Sequence, residues 1–227
     1  MRTISIRSIA VGTLALVALA GTAAAQTPIL NTLEVRTLVS STEPADNARL
    51  SAHFAALADR YAADAKRHNA MAQAFIAAPT RRVPANTAAD HCKRLAALNT
   101  KSAETLRELA AHHEKLAAGT VSTSPKGSAR FQGGAGAPEP TDAELTALAA
   151  KASAPADHRA LQEYFLTAAK RYTADANEHI AMAAAYRGTR IAQAAVHCDR
   201  LRDLSRDEAK EATAAAEMHG QLASVAR

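Results

Sequence analysis

Apolar residues recur at alternating spacings of three and four along two long stretches of the chain, residues 50–75 and 161–186. This spacing places them on one face of a helix. Two further stretches, which begin near His91 and His197, have the same periodicity. The pattern therefore predicts four long amphipathic helices.

A short helix is predicted before the first and the third long helix. Asn31 and Thr141 each stand three residues before a Glu, which is the spacing of a capping box. A Pro-Ala-Asp follows at 44–46 and again at 155–157. Pro is tolerated there because the first turn of a helix has no N–H bond to lose. Each of these two long helices is therefore predicted to begin at its proline.

The chain contains an internal duplication. Residues 44–75 and 155–186 align without a gap, and half of the aligned positions are identical. Residues 91–117 then match 197–223, where more than a third are identical. Each copy is a short helix followed by a helical hairpin. Since neither hairpin can bury its apolar face alone, we predict an all-α fold in which two homologous helical-hairpin units pack as a pseudo-symmetric four-helix bundle.

The chain divides into four segments. Residues 1–25 combine a basic start, an apolar run and a small-residue cleavage site, which predicts a signal peptide. Residues 26–118 form the first unit, the Gly-rich residues 119–140 a flexible linker, and residues 141–227 the second unit. The apolar run is shorter than the ~20 residues of a membrane span. We therefore predict a mature protein that is periplasmic or secreted and has no membrane span after signal cleavage.

Composition and charge narrow the function classes. A hydrophobic fraction of 48% is sufficient for a packed core. The net charge of +5 falls to +3 without Arg2 and Arg7, and the remaining cations alternate with acids. No basic stripe with stacking aromatics is present, so we predict no nucleic-acid partner. Without a Gly-rich phosphate loop, a nucleophile elbow or a Glu-x-x-His pair, we also predict that the protein is not an enzyme. No protein partner is indicated.

Polar and sulfur-containing residues interrupt the predicted apolar faces at equivalent positions of the two copies. Because a polar side chain on a buried face is costly, its retention in both copies suggests a requirement. These residues are Tyr61, Asp64, His68, Met71, His91 and Cys92 in the first copy, and Tyr172, Asp175, His179, Met182, His197 and Cys198 in the second.

The His, Met and Cys residues of this set are the ligands of a predicted metal site. Imidazole, thioether and thiolate together suit copper, and His with Cys suits zinc. Asp64 and Asp175, with Tyr61 and Tyr172, would surround the ligands, and a carboxylate would hold each His ring. Haem bound by a His and a Met is another possibility, without the covalent attachment of a Cys-x-x-Cys-His motif. All eight ligands meet in one layer only if both hairpin tips lie at the same end.

The alternative function is a non-catalytic structural or envelope-stress protein, whose buried His, Asp and Tyr side chains hydrogen-bond across the bundle and fix helix pairing. His113 and His219 fall near the end opposite the tips, where Asp46 or Asp157 could pair with them. His158 adds a third imidazole at that end.

The two cysteines have their own interpretation. An even number of cysteines in an exported protein predicts a disulfide, here between Cys92 and Cys198 across the two hairpins. Such a bond would remove both thiolates as ligands. The remaining His and Met residues would then favour copper over zinc.

Overall fold

The computed structural model describes residues 29–77, 85–119 and 140–225, and all regular structure within these ranges is helical. The predicted signal peptide and residues 120–139 of the predicted linker lie outside the described residues. The all-α prediction is confirmed, and the first and third long helices begin at the predicted prolines. The described helices are α1 (Thr32–Val39), α2 (Pro44–Ala77), α3 (Ala85–Ala118), α4 (Asp142–Lys151), α5 (Pro155–Arg187) and α6 (Ala194–Val225).

Both short helices begin with the predicted capping box. The Asn31 Oδ1 accepts a hydrogen bond from the Glu34 N–H at 3.0 Å, and the Glu34 carboxylate accepts one from the Asn31 N–H at 2.9 Å. Thr141 and Glu144 form the same reciprocal pair at the start of α4. These bonds satisfy backbone N–H groups that have no partner within the helix.

The two hairpins, α2 with α3 and α5 with α6, pack with their tips at opposite ends of the bundle. Arg60 of α2 contacts Asp175 of α5, whereas the later residue Asp64 contacts the earlier residue Arg171. The two helices are therefore antiparallel, and a pseudo-twofold axis perpendicular to them exchanges the units. The pseudo-symmetric four-helix bundle is confirmed. The arrangement with both tips at one end, which would have joined eight ligands in one layer, is not the one observed.

The space between α2 and α5 is wider than the other interhelical spaces of the bundle. The Cα atoms of these two helices stay more than 8 Å apart, whereas α3 and α6 approach more closely. Each short helix packs against both α2 and α5 and covers this space. Near α1 the Leu30 N–H donates to His53 Nδ1 at 3.0 Å, and at α4 Asp142 pairs with Arg67 of α2.

Aromatic side chains fill the wide space, and small residues line much of the rest of the core. Among the largest fully buried side chains are Tyr61, Tyr172, Tyr186, Phe54 and Phe165. Many other buried positions are Ala, as the composition predicts for closely packed helices. None of the helices within the described ranges is both long and apolar enough to cross a membrane.

Candidate functional site

Two reciprocal ion pairs form the middle layer of the bundle. The Asp175 carboxylate accepts hydrogen bonds from Arg60 Nη2 and from the Tyr61 hydroxyl, both at 2.8 Å. The Asp64 carboxylate lies 2.6 Å from Nη2 of Arg171, the residue equivalent to Arg60. Each buried carboxylate is therefore neutralised by a cation of the other unit. This pairing accounts for the retention of both Asp residues without a metal.

Further polar side chains complete this middle layer. The Tyr172 hydroxyl contacts the Asn99 amide at 3.0 Å, and the Ser102 hydroxyl donates to Glu208 at 2.8 Å. Burial raises the pKa of the Glu208 carboxyl to about 8, so this group is protonated at neutral pH. Asn99, Ser102 and Glu208 were not among the residues predicted from the sequence. Helical spacing could have identified two of them. Ser102 and Glu208 are equivalent in the two copies, and both fall on the predicted apolar face of their helix.

His68 and Met71 lie one helical turn apart on the buried face of α2, and both are fully buried. The His68 ring stacks on Phe165 of α5 with 6.2 Å between the ring centroids. Neither ring nitrogen of His68 has a hydrogen-bond partner within the described residues, so the predicted bond to Asp64 is absent. Burial lowers the pKa of His68 to about 3, which keeps its ring neutral.

The equivalent residues His179 and Met182 are also buried, at the other end of the bundle. The Nδ1 atom of His179 has no partner among the described residues, and burial lowers the pKa of His179 to about 4. Opposite tips therefore separate this pair from His68 and Met71.

His91 and His197 lie between α3 and α6, on a different side of their hairpins from His68 and His179. His91 Nδ1 contacts the Glu211 carboxylate of α6. His197 Nδ1 lies 3.5 Å from the Glu108 carboxylate of α3. Equal height along a hairpin predicted that His68 and His91 would meet, but the two side chains contact different neighbouring helices.

The predicted disulfide between Cys92 and Cys198 is wrong, since both residues are buried free thiols. Cys92 follows His91, which contacts Glu211, whereas Cys198 precedes Glu211 by thirteen residues on α6. At ~1.5 Å rise per residue this is about 20 Å of helix. A disulfide needs Cα atoms about 4.4–6.8 Å apart. Burial also raises the pKa of each thiol to about 12, which disfavours thiolate ligands.

Three buried histidines near the tip of the first hairpin have ring nitrogens that lack hydrogen-bond partners among the described residues. His158 Nδ1 and His219 Nδ1 are 3.2 Å apart, and the two rings stack. The His219 ring also stacks on Phe165, with 5.7 Å between centroids. We call His68, His158 and His219 the imidazole cluster. Four of its ring nitrogens, both of His68 and the Nε2 atoms of the other two, have no partner within the described residues.

The other end of the bundle contains the equivalent of His219 in a satisfied state. His113 Nδ1 bonds to Asn47 Oδ1 at 2.9 Å, and its Nε2 bonds to the Tyr186 hydroxyl at 2.7 Å. The Asn47 side chain donates to a backbone carbonyl, so its oxygen accepts and His113 donates from Nδ1. Tyr186 then donates to Nε2. The predicted pairing of His113 with Asp46 is replaced by these two bonds.

Two differences between the copies explain why both ring nitrogens of His113 are hydrogen-bonded to polar partners whereas His219 Nε2 has no partner among the described residues. The residue equivalent to Asn47 is His158, and the residue equivalent to Tyr186 is Phe75. Phe75 lies against His219, with 5.9 Å between centroids, but has no hydroxyl to donate. His219 Nε2 therefore loses its partner, while its Nδ1 gains an imidazole. The aligned copies contain this signal, which sequence reasoning missed because it followed only the identical positions.

The chemistry of the imidazole cluster is that of neutral nitrogen donors in an apolar surrounding. Burial lowers the pKa of His219 to about 3 and also lowers that of His158. Leaving a buried polar atom without a partner costs about 1–3 kcal/mol. Within residues 29–77, 85–119 and 140–225, no three His, Cys, Asp or Glu side chains converge closely enough to hold a metal ion. The cluster therefore offers two converging nitrogens, those of His158 and His219.

Comparisons of the chain with protein-family models, with curated proteins and with solved structures gave no match.

Proposed function

We propose that the chain is an exported helical-bundle protein that binds a soft metal ion, with copper favoured, at the imidazole cluster. The observation that supports this proposal is the pair of Nδ1 atoms of His158 and His219, 3.2 Å apart. The equivalent histidine, His113, supports it further, because both of its ring nitrogens are hydrogen-bonded whereas His219 Nε2 has no partner among the described residues.

The separation of the two nitrogens is compatible with a shared ion. Two imidazole nitrogens bound to one ion at about 2.0 Å lie about 3.3 Å apart in tetrahedral geometry and about 4 Å apart in linear geometry. The observed 3.2 Å requires a shift of less than about 1 Å in either case. Without metal, one ring donates an N–H to the other across the same distance. Binding an ion through both Nδ1 atoms would require the donating ring to carry its proton on Nε2 instead.

The donor set favours Cu(I) over zinc. Structural zinc sites have four protein ligands, and the cluster brings only two nitrogens together. Cu(I) accepts two or three ligands and prefers soft donors. Among the described residues no third side chain converges on the two Nδ1 atoms, so the geometry fits a two-coordinate ion held by His158 and His219. His91 and His197, with their carboxylate partners, have no part in this proposal.

The test is metal content and affinity of the mature chain, prepared without a His-tag. We expect about one Cu(I) per chain by mass spectrometry, since the described residues bring one pair of imidazole nitrogens, those of His158 and His219, within 3.2 Å of each other. His219→Phe should abolish binding. His113→Phe is the matched control, because it removes the equivalent buried imidazole from the satisfied end and should leave binding intact. Circular dichroism checks that both variants keep the helicity of the parent.

Exchanging residues between the copies tests the same proposal without deleting the histidine. Phe75→Tyr supplies the hydroxyl that bonds the equivalent histidine, and His158→Asn supplies the amide. Each should weaken Cu(I) binding, and together they should abolish it. A chain that retains neither copper nor zinc on titration, or that loses metal equally in the His113→Phe and His219→Phe variants, would refute the metal function.

Export is tested separately. We expect the periplasmic fraction of a bacterial host to contain a chain that begins at Gln26, identified by intact mass. Replacing residues 9–20 of the apolar run with a polar segment should leave the chain uncleaved in the cytoplasm. An uncleaved wild-type chain in the cytoplasm would contradict export without bearing on metal binding.

The second candidate function is structural. The reciprocal pairs Arg60 with Asp175 and Arg171 with Asp64 favour it, because they account for several buried polar residues through helix pairing alone. Under this function the His158 and His219 pair is an ordinary N–H···N hydrogen bond. An apo protein whose stability falls in the His158→Asn variant, and which takes up no metal, would support it.

A further inference from the structure

A cleft of about 880 Å³ opens at the end of the bundle opposite the imidazole cluster. The end of α1, the first turn of α2, the end of α3 and the loop between α5 and α6 surround it. Its volume lies within the range of small-molecule pockets, about 300–1,000 Å³. The lining residues that carry the argument are Val39, Thr42, Asn47, Lys115, Arg190 and Ile191.

The cleft is positively charged. Lys115 and Arg190 line it, and no Asp or Glu is among its described lining residues. Neither cation forms an ion pair within the described part of the chain, although fourteen such pairs occur elsewhere in it. Two cations without acidic partners at one opening form a docking point for an anion.

The helix ends around the cleft reduce this charge without reversing it. Three helix C-termini and two helix N-termini meet here, and each end is equivalent to about half an elementary charge, negative or positive respectively. Their sum is about −0.5, against +2 from Lys115 and Arg190. The lining residues and the helix ends together therefore carry a net positive charge.

The remaining walls of the cleft are mixed. Val39, Leu116 and Ile191 supply apolar surface, and Thr42 and Thr189 supply hydroxyls. Asn47, which is 6% exposed, forms part of the lining, and its oxygen is already bonded to His113. A ligand with an anionic head and a short apolar body matches this combination of cations and apolar wall.

We propose that this cleft binds a small organic carboxylate, with its head on Lys115 and Arg190 and its apolar body against Val39, Leu116 and Ile191. This site is independent of the metal proposal, since it lies at the other end of the bundle and uses no residue of the imidazole cluster. Bidentate geometry at Arg190 and a point charge at Lys115 are the two usual ways of holding a carboxylate.

Hexanoate is the probe for the test, and the full mature chain at neutral pH is the protein. Titration followed by calorimetry should give one saturable site. The amide resonances of Gly119, Gly188 and Thr189 should move in NMR spectra during the same titration. Acetate, which has the head without the apolar body, and hexanol, which has the body without the charge, should each bind at least about tenfold more weakly, a loss of about 1.4 kcal/mol.

Substitutions distinguish hexanoate binding in the cleft from non-specific attraction of an anion to the basic protein surface. Lys115→Gln introduces the residue of the second copy, Gln221, and should weaken hexanoate binding about tenfold, as expected for one charge-assisted contact. Arg190→Gln should have a similar effect. Lys170→Gln is the matched control, since Lys170 is an exposed cation of α5 away from the cleft.

Two results would overturn the proposal. One is the absence of saturable hexanoate binding at millimolar concentration by the folded chain. The other is an equal loss of affinity in the Lys115→Gln and Lys170→Gln variants, because that result would indicate non-specific attraction to surface charge. Neither result depends on whether the chain binds copper.

Discussion

Arg60 of the first unit lies 2.8 Å from the carboxylate of Asp175 in the second unit, and its guanidinium also stacks over the Tyr61 ring. The equivalent pair, Arg171 with Asp64, is 2.6 Å apart. If the hairpins packed with both tips at one end, equivalent residues would face each other, so that Asp would meet Asp and Arg would meet Arg. The order of charges along α2 and α5 therefore favours the antiparallel docking and disfavours the parallel one.

Removing one partner of these pairs should destabilise the bundle. Breaking a buried ion pair costs about 3–5 kcal/mol. Since the Arg60 side chain is 31% exposed, we expect a smaller loss of roughly 2–3 kcal/mol for Asp175→Asn in urea unfolding. Arg187→Ala breaks the more exposed pair with Asp199 and should cost less than about 1 kcal/mol. Equal losses in the two variants would show that the middle layer does not orient the units.

The fold could be predicted from local signals, whereas the site could not. Capping boxes, prolines and three-four periodicity act within a few turns of one helix, so the helix starts near Asn31 and Pro44 were correct. The antiparallel packing of the two hairpins depends on Arg60 and Arg171, because each forms an ion pair with an Asp of the other unit. Each residue's role thus depended on a partner more than a hundred residues away.

The histidines illustrate a second limit of sequence reasoning. His68 was placed correctly on the buried face, because the face follows from helical periodicity. The arrangement of the helices in the bundle determines which neighbouring helix a buried side chain contacts. His91 therefore contacts Glu211, and His219 contacts His158, which helical periodicity alone does not predict. Identity between the copies identified His68 and His179, but the contact between His158 and His219 forms where the copies differ.

The Glu208 carboxyl should lower the stability of the fold as pH rises. Its pKa in the folded state is about 8, above its ordinary value of 4.5, so between these pH values the folded state binds a proton that the unfolded state has released. The free energy of unfolding therefore falls by up to about 1.4 kcal/mol per pH unit in this window. Glu208→Gln removes this dependence, so its stability relative to wild type should increase from pH 5 to pH 8 in urea unfolding.

The result that would contradict this assignment is a constant difference in stability between Glu208→Gln and wild type across that pH range. Ser102→Ala provides a comparison. It removes the hydroxyl that donates to Glu208 but leaves the titrating group, so the slope of stability against pH should persist in this variant.

The buried histidines should lower the stability of the fold as pH falls, whereas Glu208 lowers it as pH rises. Burial lowers the pKa of His68 and His219 to about 3 and that of His113 to about 4, below the ordinary histidine value of 6.5. As pH falls below 6.5, the unfolded state binds protons that the folded state excludes. Each such histidine therefore lowers the free energy of unfolding by up to about 1.4 kcal/mol per pH unit down to its folded pKa.

The measurement is urea unfolding between pH 5 and pH 7, followed by circular dichroism. The variant His68→Phe should have a shallower pH dependence than wild type by about one proton. His91→Phe, which removes a half-buried histidine with a carboxylate partner, serves as the comparison. An unchanged slope in His68→Phe would mean that the pKa of His68 is not lowered in the folded state.

Both thiols should be unreactive until the chain unfolds. Cys92 and Cys198 are fully buried, so a reagent cannot reach them in the folded chain. Burial also raises the pKa of each thiol to about 12, so the reactive thiolate form is scarce at neutral pH. We expect no reaction with a thiol reagent in the native state and two reactive thiols per chain in denaturant. An intact mass two hydrogens lower than the reduced chain would instead indicate the disulfide.

The pseudo-twofold axis has an evolutionary consequence. Two separate copies of one hairpin could make the same Arg-to-Asp pairs across a true twofold axis, so the fused chain has the architecture of a homodimer in one polypeptide. In a homodimer every substitution occurs at both ends. Fusion lifts that constraint, so the two equivalent positions can hold Asn47 at one end and His158 at the other. The two ends of the bundle became separate targets of selection, which a symmetric ancestor would not have allowed.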